Sequence, residues 1–124
     1  MKLLIVEDND AFRGFLRVWM AEQAGKEIPD VFEAAALADA IRIVREEAVD
    51  AVLSDEAFPL DWGERMGDPL EWRKSWGILR VECSTQEVPL VLLRGDPLAK
   101  LSMARSAIER VLALASTHKM VGAQ

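Results

Sequence analysis

Leu3-Leu4-Ile5-Val6-Glu7-Asp8 and Ala51-Val52-Leu53-Ser54-Asp55-Glu56 are the two stretches whose reading decides the fold. Each is a short apolar run that ends in acid. Bounded runs of this length read as strands buried on both faces. Such strands belong to parallel sheets with helices on either side. All carboxyl ends then lie at one edge, where open α/β sheets bind ligands. Glu7, Asp8, Asp55 and Glu56 are expected to gather there. Several carboxylates together suit a hard divalent cation such as Mg²⁺. One of them can also act as a nucleophile toward phosphorus.

Working outward, Lys2 to Val6 is the first strand, and Asn9 or Asp10 caps the helix after it. Phe12, Phe15, Leu16, Trp19 and Met20 give that helix an apolar stripe, and Gly25 stops it. Val31-Phe32, just after Pro29, suits an edge strand. Leu37, Ile41, Val44 and Ala48 mark a second amphipathic helix, and Val49 to Ser54 the third strand. Phe58 to Pro69, with Pro59, Gly63 and Gly67, reads as a long loop. A third helix is expected from Pro69 to Arg80, with Trp72, Trp76 and Leu79 on one face. Val88 to Leu93 is the fourth strand. The last helix spans Leu98 to Ala115, with Leu98, Leu101, Arg105, Ile108, Leu112 and Ala115 as its inward stripe and a frayed tail from Thr117. Four strand–helix units in alternation predict a doubly wound parallel sheet with helices on both faces.

The chain has 124 residues, which suits a single domain over 1–124. Its hydrophobic share of 51% supports a compact core. A net charge of −6 argues against binding nucleic acid or an anionic membrane surface. Cys83 is the only cysteine, so no internal disulfide forms and a cytoplasmic location is expected. No apolar stretch is long enough to span a membrane. With His118 as the only histidine, a multi-histidine metal site is excluded.

Leu4-Ile5-Val6-Glu7-Asp8-Asn9-Asp10 resembles the opening of the receiver domains of response regulators in two-component signalling. Asp50-Ala51-Val52-Leu53-Ser54-Asp55-Glu56-Ala57-Phe58-Pro59 is similar to that family's phosphoacceptor segment, with a proline four residues after the aspartate. The resemblance implies a flavodoxin-like fold and a phosphorelay role. Asp55 is then the phosphoacceptor. Glu7, Asp8, Asp55 and the backbone carbonyl of Ala57 hold Mg²⁺, and Glu56 lines the pocket. The implied partners are a histidine kinase or phosphotransfer protein and a downstream protein. No enzymatic activity is implied beyond the domain's own phosphorylation and dephosphorylation.

The chain also departs from the family, which carries Ser or Thr after its fourth strand and Lys after its fifth. Here Arg94 follows the fourth strand, where it is a candidate phosphate anchor or a salt-bridge partner for the acids. Only one helix follows, so a late helix–strand unit is missing, and Lys100 lies too close downstream to replace the family's lysine. An alternative alignment makes Ile78 to Thr85 the fourth strand, with Thr85 as the hydroxyl residue. It leaves only Gln86 and Glu87 between parallel neighbours, which need a far longer crossover. A rival reading is a pseudo-receiver that binds protein partners without phosphate. An aspartate-nucleophile phosphatase commonly has a second Asp two residues on, where this chain has Ala57. A missing last strand leaves a bare sheet edge, which predicts a homodimer or strand exchange. Trp62 is the contact candidate among the tryptophans, while Trp72 and Trp76 at helical spacing read as core. Cys83 reads as a buried inert thiol and His118 as a solvated residue at a helix end.

Overall fold

The computed structural model describes residues 1–61 and 69–122, so the Trp62 contact candidate lies outside the described residues. Four strands and four helices alternate: β1 (Lys2–Val6), α1 (Asp10–Ala24), β2 (Asp30–Ala34), α2 (Leu37–Glu46), β3 (Ala51–Asp55), α3 (Pro69–Thr85), β4 (Leu90–Leu93) and α4 (Pro97–Gly122). The strands pair in the order β2-β1-β3-β4, all parallel. This is the doubly wound sheet expected from the sequence, one helix–strand unit short of a five-stranded form.

Strand alternation sorts the core into two layers. Leu3 and Ile5 of β1 join Leu53, Val91 and Leu93 beneath Leu16 and Met20 of α1 and Ile108 and Val111 of α4. Leu4 and Val6 join Val52 on the opposite face with Ile43 and Val44 of α2 and Leu79 and Cys83 of α3. Because the helix after β1 covers one face and the helix after β3 the other, the chain reverses between these neighbouring strands. A crevice at their carboxyl ends follows.

Asn9 caps α1 by accepting the Phe12 N–H at 2.9 Å, and Gly25, at φ 66°, ends it. Helix α3 runs through Thr85, which removes the alternative alignment with a strand there. The loop expected after β3 is present over its described part, Phe58 to Asp61, and residues 62–68 of it lie outside the described residues. Phe58 is fully buried, and the carbonyls of Pro59 and Leu60 accept the N–H groups of Leu37 and Ala38 at the start of α2.

Helix α4 departs further from expectation, since it continues through the tail to Gly122. Its inward stripe is Lys100, Ala104, Ala107, Ile108, Val111 and Ala115, whereas Leu98 is 79% exposed and Leu101 45%. Small alanines let the helix lie close on the sheet, and the lysine faces inward because two carboxylates meet it there. Trp76 packs against the second core layer as expected, and Arg80 lies over its ring at 5.5 Å. Cys83 is buried as expected, and burial followed by the Glu82 charge pushes its thiol up to about 12. His118 is no freely solvated group, for its Nδ1 sits 3.0 Å from Asp50 Oδ1.

Candidate functional site

Glu7, Asp8 and Asp55 arrive at the crevice because β1 and β3 are adjacent and in register, with Val6 paired to Ser54. Each offers a carboxylate oxygen, and these oxygens lie within 4.8 Å of one another. Glu7 is 2% exposed and Asp55 9%. The Glu7 backbone is pinned from both sides: its N–H donates to Ala34 and its carbonyl accepts the Arg13 guanidinium at 2.8 Å. Asp55 Oδ1 accepts the N–H of Glu56 at 2.8 Å.

The cation at this cluster is Lys100. Its Nζ donates to both Glu7 oxygens, at 3.0 and 3.2 Å, and to Asp55 Oδ2 at 3.3 Å. The Phe12 ring lies 5.0 Å from the same ammonium, close enough for a cation–π contact. Tight turn chemistry delivers the lysine. Gly95 stands at φ 105°, and a Cβ there would approach the Ala99 Cβ to 2.8 Å, so no other residue fits the turn. Asp96 then caps α4 by accepting the Ala99 N–H at 2.9 Å, and Pro97 fills the first helical position. Lys100 follows within the first turn, pointing back over the ends of β1 and β3.

Arg94, the cation singled out from the sequence, is exposed and is not the group that reaches these acids. Glu56 is half-buried and accepts the Gly95 N–H at 3.4 Å, which ties the end of β3 to the turn before α4. Ala57 is half-buried two residues beyond Asp55. The sequence signal for Lys100 was present, since Lys100, Ala104, Ala107, Val111 and Ala115 also fall at helical spacing. A stripe drawn through leucines passes it by.

Burial pushes the Glu7 carboxyl up to about 8, and the nearby Asp55 charge adds to this against the pull of Lys100. Burial alone would lower the Lys100 ammonium. Its hydrogen bond and charge contact with Glu7, with help from Asp55, outweigh that and leave it raised. The cluster thus holds more acid than one lysine balances. An all-oxygen donor set with surplus negative charge fits a hard divalent cation, with Glu7, Asp8 and Asp55 as ligands. A cavity of about 500 Å³ opens beside it, lined by Asp8, Phe12, Phe15, Pro97 and Lys100 among others. A larger groove of about 810 Å³ runs between α2 and α3, but its position away from the carboxylates gives it no part in this chemistry.

No family model matches the chain, and no curated protein matches it in sequence. Solved structures do resemble it. The signal receiver domain of the response regulator NarL from Mycobacterium tuberculosis is 17% identical, with a TM-score of 0.57 over 93% of this chain and 95% of that one. The signal receiver domain of the LuxO repressor protein from Vibrio parahaemolyticus is 18% identical, with a TM-score of 0.51 over 97% of this chain and 95% of that one. At such identities the likeness speaks for the fold. The chain has the flavodoxin-like receiver fold, shortened to four strands and four helices.

Proposed function

We propose that this chain is a receiver domain in a phosphorelay, accepting a phosphoryl group on Asp55. One observation carries the reading: three carboxylates converge at the carboxyl end of the sheet, and a buried lysine bonds two of them. An Asp55 oxygen attacks phosphorus of a phosphohistidine on a kinase or phosphotransfer protein. The P–O bond forms as the P–N bond breaks, and the imidazole leaves with the bonding electrons and takes up a proton. Asp55 becomes an acyl phosphate. The Lys100 ammonium, already against Asp55, meets the phosphoryl oxygens and offsets their charge. Glu7 and Asp8 would hold Mg²⁺ with Asp55, and the ion would supply further neutralisation of the phosphoryl group. Ala57 keeps its proposed role as a carbonyl ligand. Arg94, exposed after β4, is left without a part in this step.

The output would be contact with another protein. No helix of the described residues is long and apolar enough to cross a membrane. One observation favours the phosphate-independent alternative. Lys100 already neutralises Asp55, and the residue after β4 is Arg94 where the related pattern has a hydroxyl. The test is an NMR titration with Mg²⁺ and then beryllofluoride, on wild type and Asp55→Asn. Saturable shifts at Asp8, Asp55 and Lys100 that vanish in the variant support phosphoryl acceptance. Unchanged spectra in wild type would overturn it and leave the pseudo-receiver reading.

A further inference from the structure

The two edges of the sheet are built differently. β2 carries Asp30 and Glu33, and Arg13 and Arg17 bond the Glu33 carboxylate at 3.1 and 3.0 Å. Charge on an edge strand discourages pairing with another chain. β4, the other edge, reads Leu90-Val91-Leu92-Leu93, with no charge and no proline within it. No described strand pairs with its outer side. The Val52 N–H donates to the Pro89 carbonyl. In a parallel ladder this turns the backbone groups of Val91 and Leu93 toward β3 and those of Leu90 and Leu92 outward. The Leu90 and Leu92 side chains are half-buried.

The ends of this strand carry opposite charges, Glu87 before it and Arg94 after it, both exposed. A two-fold axis through Val91 sets Leu90 opposite Leu92 of a second copy, where each pair exchanges two backbone hydrogen bonds. The same register sets Arg94 opposite Val88 of the second copy, beside its Glu87. A strand with acid at one end and base at the other is complementary to itself when antiparallel.

We propose that β4 pairs antiparallel with β4 of a second copy, joining two four-stranded sheets into one, with Arg94 and Glu87 fixing the register. This gives Arg94 a role independent of the acid cluster. The experiment is sedimentation velocity on the full chain from micromolar to millimolar concentration, with hydrogen exchange of the Leu90 and Leu92 amides alongside. A reversible dimer is expected, with protection of both amides rising with concentration. A monomer throughout would overturn the proposal, as would a dimer whose Leu90 and Leu92 amides exchange at the dilute rate. Leu92→Pro removes an outward N–H that β3 does not use, so a folded monomer is expected, and a folded Leu92→Pro dimer would count against the pairing. Where that variant does not fold, the charges decide. Arg94→Glu should weaken the dimer about tenfold, and adding Glu87→Arg should restore it. Failure of the double reversal to restore affinity would overturn the register.

Discussion

Helix α4 brings a nitrogen-bearing side chain to each end of the sheet, and the two ends make different use of it. At the carboxyl end Lys100 bonds Glu7 and Asp55, all three buried, with the half-buried Asp8 close by. At the amino end, about 27 Å further along the helix, His118 meets a single carboxylate, Asp50. That carboxylate also accepts the Lys2 backbone N–H at 2.9 Å. One end has surplus acid in a buried place. The other has one acid with enough donors, and it is half-open to water. Surplus buried charge moves pKa values and invites a further cation, whereas a satisfied pair only holds the helix down.

The two largest expected effects belong to the buried cluster, and the first comes from removing the cation where acid is in surplus. Lys100→Met should lower stability at pH 8 by about 3 kcal/mol, near the low end for breaking a buried pair, because Glu7 relieves part of the strain by taking a proton. Urea unfolding checks this. A loss below about 1 kcal/mol would mean that the carboxylates are better solvated than their burial implies.

The pH dependence is of comparable size. Unfolded Glu7 ionises near 4.5, and folded Glu7 near 8. Between these values the folded chain keeps a proton that the unfolded chain has released. Its contribution to stability is therefore whole below pH 4.5 and is lost as pH rises through 8, at up to about 1.4 kcal/mol per pH unit. Unfolding free energies measured from pH 5 to 8 should fall in wild type and stay flatter in Glu7→Gln. Adding Mg²⁺ should flatten or reverse the wild-type slope, since a metal held by Glu7 favours the ionised form. A slope that is identical with and without Mg²⁺ would speak against the metal site.

The contrast between the two ends also marks what the sequence discloses. The acids were legible because they terminate two apolar strands, and strand ends of a parallel sheet converge by topology alone. Four strand–helix units were legible from the same apolar runs, and the missing one only against the receiver pattern the sequence resembles. Neither of the acids' partners on α4 was. Lys100 and His118 lie on a helix whose rotation depends on which residues pack closest, and the small alanines won over Leu98 and Leu101. Arg94 stands at the end of a strand, where a cation for the acids is expected, yet a glycine turn and a cap carry the chain past it, so that the first helical turn supplies the ammonium.

The smallest effects belong to the balanced end, and there the backbone bond should outweigh the charge. Asp50→Ala removes the acceptor of the Lys2 N–H as well as the partner of His118, and is expected to cost about 1 kcal/mol. Asp50→Asn retains an oxygen for that N–H and gives up only the charge, so it should cost about 0.5 kcal/mol, as should His118→Gln with its half-open pair. Urea midpoints resolve the difference, and none of the three should shift the Mg²⁺ response at Asp55. Equal losses for Asp50→Ala and Asp50→Asn would place the value of this clip in the Asp50 charge facing His118, and the two ends of α4 would then work by the same means.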